Sequence, residues 1–185
     1  MRSDFCCECV TWWSAEIRVL TLHGVTGNVQ YSPELEPYPK ALCDAVVHAV
    51  PGWLTTRITA LVQGVSTDDR DKVLSALDDI VERTQKSVRH DLYGLLLQDV
   101  DEQRQNPLQV LRNSIKYATD VLNSCGIPHV VRDEFDVKAM PYDVYALGPL
   151  TWKDLSEEVH EAGINWGAWK AATVLQRRRA EGKIS

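Results

Sequence analysis

A mainly α fold, an irregular bundle of four to six helices with a long ordered loop crossing it, is what this sequence predicts. Two apolar stripes at helical spacing carry the expectation: Val73, Leu77, Ile80, Thr84, Val88, Leu92 and Leu95, then Leu108, Leu111, Ile115, Ala118 and Leu122. The third observation is where β-type alternation stops. It is confined to a short stretch near the N-terminus, so a hairpin there would be an appendage to the bundle.

Taken in order, residues 1–38 read as an appended segment and residues 39–185 as the helical domain. Glu16 to Leu22 is β-branched and partly alternating, and the turn residues from Gly24 to Asn28 lead to Val29-Gln30-Tyr31, which is the pattern of a small β-hairpin. Ser32 to Pro39 then reads as an extended connection, because its prolines lack amide donors and hold φ near the polyproline value.

Helical spacing begins after Lys40. Leu42, Ala45, Val46, Ala49 and Val50 form one apolar face, Pro51-Gly52 interrupts it, and Leu54, Ile58, Leu61 and Val62 resume it, so two short helices or one kinked helix are expected. Ser66-Thr67-Asp68-Asp69 has the side-chain oxygens and early acids of a helix start, and the stripe from Val73 to Leu95 follows it. Pro107 suits the first turn of the next helix, and Gly126 stands where a left-handed C-terminal residue is needed. From Pro128 to Pro149 no helical period is sustained, which predicts the crossing loop; loops of that length are often functional. Thr151-Trp152-Lys153-Asp154 resembles a capping box with Asp in place of Glu. A short helix to Ala162, ended by Gly163, and a last helix from Trp166 to Arg179 complete the chain, the latter with Ile164, Ala168, Ala171 and Leu175 as its expected inward face. No internal repeat, heptad array or low-complexity tract points to a solenoid or long coiled coil.

Charge and cysteine usage exclude several function classes. With a net charge of −6 and a pI near 5.3, the chain lacks the basic surface that phosphate backbones and anionic lipid require. Arg177, Arg178, Arg179 and Lys183 read as a helix C-terminus, where cations complement the dipole. No apolar run approaches the ~18 residues of a membrane span. Five cysteines with no secretory signal ahead of them indicate a cytoplasmic protein with reduced thiols.

The motifs Asp99-Val100-Asp101-Glu102-Gln103-Arg104, Asn106-Pro107-Leu108, Arg132-Asp133-Glu134-Phe135, Asp143-Val144-Tyr145-Ala146-Leu147 and Trp166-Gly167-Ala168 resemble those of a family of small conserved hypothetical proteins from actinobacteria. The resemblance covers roughly residues 90–178 and implies a bacterial cytoplasmic protein. That family has no assigned reaction, so the resemblance brings no catalytic role to any residue.

Candidate chemistry is sparse. Cys6, Cys7 and Cys9 with Cys43 or His23 offer metal-ligand types, but the second separated pair of a structural zinc site is missing. No serine elbow accompanies the His23-Gly24 turn, and His160, set among Glu157, Glu158 and Glu161, reads as part of a solvated helix face. Neither metal nor cofactor is therefore implied. The weak catalytic candidates are Asp99, Asp133, Glu134 and Arg132. Asp99 falls on or beside the buried stripe and needs a cationic partner, for which Arg104, Arg112 and Arg132 are placed; a clamp fixing the helices to the loop is the simpler use of such a pair. Tyr142, Tyr145, Trp166 and Trp169 are the candidate partner-binding residues, because Trp and Tyr are favoured interface anchors. The resulting expectation is a non-enzymatic protein-interaction or regulatory protein. A small enzyme or ligand-binding protein using the carboxylate and arginine set is the alternative, and the partner and oligomeric state are left open.

Overall fold

The computed structural model describes residues 37–97 and 106–184. The chain divides into two units, Met1–Tyr31 and Ser32–Ser185, and every described residue belongs to the second. The expected hairpin, the Cys6, Cys7, Cys9 and His23 group, Asp99 and Arg104 lie outside the described residues.

All regular structure among the described residues is helical. Helix α1 spans Pro37–Leu61 and passes into a 3-10 turn at Val62–Gly64. Its first turn contains Pro37 and Pro39, which were expected in an extended connection; the first amides of a helix have no intrahelical acceptor, so proline is tolerated there. Pro51 does not end the helix either. Proline leaves the carbonyl four residues back without its donor, and here the Gln85 side-chain amide donates to the Val47 oxygen at 2.7 Å. A neighbouring helix thus completes the interrupted ladder.

Pro37–Gly64, a segment of 28 residues, is long and apolar enough, by length and composition alone, to cross a membrane. This departs from the expectation that no run approaches spanning length. Leu42, Val46, Val50, Leu54 and Ile58 are instead fully buried in the protein core, where α1 packs on α3 and α7.

The first predicted stripe forms α2 (Thr67–Ser75) and α3 (Leu77–Leu97), joined at Ala76 with the backbone ladder nearly continuous. Ser66 caps α2 by accepting from the Asp69 amide. Val73, Ile80, Thr84, Val88, Leu92 and Leu95 are buried as predicted. The second stripe forms α4 (Pro107–Ser114) and α5 (Lys116–Ser124), capped by Asn106, whose side chain accepts from the Leu108 amide at 3.0 Å. Gly126 takes φ +70°, and the Ile127 and Gly126 amides return to the Leu122 and Asn123 carbonyls, which is the Schellman arrangement.

Two expectations about the last third are corrected. Glu134–Ala139 is a short helix, α6, inside the predicted loop; Asp133 caps it by accepting from the Asp136 amide at 2.7 Å. Residues 157–180 form one helix, α7 (Glu157–Ala180), capped by Ser156, and Gly163 lies within it. A Cβ on Gly163 would stand 2.8 Å from the Trp152 ring, so this glycine admits a close aromatic neighbour and does not end a helix.

The inward face of α7 is also reversed. Val159, Gly163, Trp166 and Trp169 are buried, whereas Ile164, Ala168, Ala171 and Leu175 are exposed. Apolar residues occur on both sides of this helix, so spacing alone has two solutions, and the larger area of the indoles selects the one observed.

Candidate functional site

The four aromatic residues expected at a partner-binding surface separate sharply. Tyr145, Trp166 and Trp169 are buried, and Tyr142 alone stays at the surface. Burial of the first three has a physical cause in each case. The Trp166 Nε1 donates to the Leu96 carbonyl of α3 at 3.3 Å, while Lys170 stands 4.2 Å over its ring. Trp169 enters the same apolar core, though its indole N–H finds no acceptor. The Tyr145 hydroxyl lies 2.7 Å from the Asn123 side-chain oxygen and 3.0 Å from the Ile127 carbonyl, and burial pushes its phenol pKa upward. His129 meets its ring edge to face at 5.2 Å.

The carboxylate and arginine candidates hold the backbone of the crossing segment. Arg132 donates to three carbonyls, those of Met140 (2.8 Å), Asp143 and Asp136, gathering the end of α6 and the turn after it onto one guanidinium. Asp133 is the α6 cap, and Glu134 pairs with Lys138 at 2.6 Å on the surface. Neither carboxylate meets Arg132 in an enclosed polar site.

Asp143 is the buried acid of this segment. Its carboxylate accepts from the Leu147 amide at 2.7 Å and from the Gly148 amide, and Ala146, just before them, adopts φ +53°. Arg112 on α4 donates to the Pro149 carbonyl at 3.1 Å and the Leu150 carbonyl at 3.3 Å. Burial lowers the Arg112 pKa, and the nearby Asp143 charge opposes that shift. A Cβ on Gly148 would stand 2.7 Å from both the Arg112 Cγ and an Asp143 carboxylate oxygen, so only glycine fits between them. Arg112, Arg132 and Asp143 thus tie down the backbone of the crossing segment, whereas the clamp expected at Asp99 lies outside the described residues.

This anchoring presents apolar side chains to solvent. Val131 is 98% exposed, Tyr142 86% and Phe135 75%, and Val137 is exposed beside them in sequence. Acidic Asp133, Glu134 and Asp136 are interleaved with this group. Sequence reasoning selected Tyr142 and missed Val131 and Phe135. Their signal was the chemistry of neighbours: Arg132 and Asp133 serve the backbone, and Val131 and Phe135 on either side of them are left outward.

A concavity elsewhere on the surface is polar. A groove of about 510 Å³ is lined by Asp44 and His48 of α1, Gln85 and Arg89 of α3, and Glu158 of α7. Its residues come from three helices distant in sequence, and spacing gave no hint of it. Among the described residues no group of three His, Cys, Asp or Glu side chains is placed to hold a metal ion. Buried Cys43 lies outside this lining, and burial raises its thiol pKa, which disfavours the reactive thiolate.

No family model, curated protein or solved structure matches this chain.

Proposed function

We propose that this protein is a non-enzymatic interaction or regulatory protein whose contact surface is the α6 segment, with Val131, Phe135, Val137 and Tyr142 as the apolar contacts. The observation that carries the reading is the near-complete exposure of Val131, Phe135 and Tyr142 on a backbone tied down by Arg132 and Asp143. Apolar side chains held outward on an ordered support can bind without a large ordering penalty. The interleaved acids suit a partner with an apolar socket and a basic rim. Both described cysteines, Cys43 and Cys125, are free thiols, which suits the cytoplasm expected from the sequence.

The test is site-specific photocrosslinking from position 135 in extract of the native host. A discrete adduct is expected, competed by excess wild-type protein and not by a folded Phe135→Asp, Tyr142→Asp variant. Absence of any adduct, or equal competition by the variant, would overturn the assignment of this surface.

Ligand binding is a second reading, favoured by the polar groove and located there in place of the Arg132 region. Arg89 beside Asp44 and Glu158 suits a small zwitterion. Thermal-shift screening of amino acids against wild type and Arg89→Ala separates it from the first: stabilisation of wild type alone supports the groove.

A further inference from the structure

The outer face of α7 carries a pattern that the protein's own core does not use. Glu161, Ile164, Ala168, Ala171, Leu175 and Arg178 are all exposed and follow one another in steps of three, four, three, four and three residues. That spacing keeps them on one line of the helix, the line along which two helices meet in 3-4 packing. The order of steps is the same read from either end.

The geometry points to a second copy of this chain as the occupant of this face, docked antiparallel about a two-fold axis between Ala168 and Ala171. An isologous interface must be complementary to itself under that rotation. Here the rotation sets Ala168 against Ala171, Ile164 against Leu175, and Glu161 against Arg178, each twice. The alanines leave the centre of the face low, as does Gly167, which has no atom within 4 Å of where a Cβ would stand. The helix axes can therefore approach to the short end of the ~8–10 Å range, while Ile164 and Leu175 close the two ends.

Charge selects both the occupant and its direction. The first turn of α7 is acidic, with Glu157 and Glu158, and the last is basic, with Arg177, Arg178 and Arg179. Antiparallel pairing brings each acidic end to a basic end and aligns the helix dipoles favourably. Parallel pairing would set Glu161 against Glu161 and Arg178 against Arg178. Arg178 already has an interaction within its own chain, and the five donors of a guanidinium leave room for a second. A contact along one helix pair lies near or below the ~1,200 Å² lower bound of stable interfaces, so a dissociation constant of about 1–100 μM is expected.

Sedimentation equilibrium of the full chain tests this pairing with two charge reversals. Wild type should dimerise in that range. Glu161→Arg and Arg178→Glu should each weaken self-association by about tenfold or more, since each places like charges opposite one another twice. An equimolar mixture of the two variants should dimerise again, because every facing pair is then opposite in sign. Raising salt to about 1 M should weaken wild type and strengthen the single variants relative to it. A wild type that stays monomeric, a dimer indifferent to both reversals, or a mixture that fails to recover would overturn the proposal. Such results would leave the face to a different protein or to another part of this chain.

Discussion

Residues 37–97 and residues 128–150 are ordered by opposite means. In α1 to α3 the side chains that fix position are mainly aliphatic and fully buried, and the helical ladder supplies the backbone's hydrogen bonds, with Gln85 and the Ser66 cap added to it. Between Pro128 and Leu150 the turns depend on a few polar groups, each serving several backbone atoms: Arg132 for three carbonyls, Asp143 for two amides, Arg112 for two carbonyls. Area holds the first region and valence holds the second. Area grades smoothly with substitution, whereas a hydrogen-bond hub fails as a unit.

Substitutions in the two regions should therefore differ in reach as well as in size. Leu92 is fully buried in α3, and Leu92→Ala should lower global unfolding free energy by about 2–5 kcal/mol, read from urea denaturation as a lower midpoint with an unchanged slope. Asp143→Ala should lose about 1–3 kcal/mol, since two amides lose their acceptor. Its effect should be concentrated in faster amide hydrogen exchange at Leu147 and Gly148, with α1 and α3 amides little changed. Uniform loss of protection across both regions would break the comparison. The smallest effect has the opposite sign. Ala146 holds φ +53°, a conformation disfavoured by its Cβ, so Ala146→Gly should stabilise by up to about 1 kcal/mol in the same denaturation assay.

The same contrast explains which parts were legible in the sequence. The stripes from Val73 to Leu95 and from Leu108 to Leu122 announced their helices because burial repeats at the helical period, and Ser66, Asn106-Pro107 and Gly126 marked ends by local chemistry. Helix α6 was hidden because its six residues have no room for a period, and its order comes from Asp133 and Arg132. Continuity through Pro51 was left open and continuity through Gly163 was missed, because the groups that decide them, Gln85 and Trp152, lie on other elements. At the candidate surface, Tyr142 was legible as an aromatic in a loop. The burial of Tyr145 and Trp166 depended on tertiary acceptors at Ile127 and Leu96, which spacing does not reveal, and Trp169 follows by packing alone.

The bond from Gln85 to Val47 also acts as an alignment key between two helices. Apolar helix faces can slide by a turn, about 5.4 Å, and still bury comparable area, so area by itself discriminates poorly between neighbouring registers. Pro51 creates one backbone oxygen on α1 that no intrahelical donor serves, and in the observed alignment α3 presents a side-chain amide to it. A one-turn slip that brought Val81 to that place would offer no donor at all. A residue that ordinarily interrupts a helix thus favours the observed alignment over a slip toward Val81, and the groove lined by Asp44, His48, Gln85 and Arg89 takes its shape from the same choice.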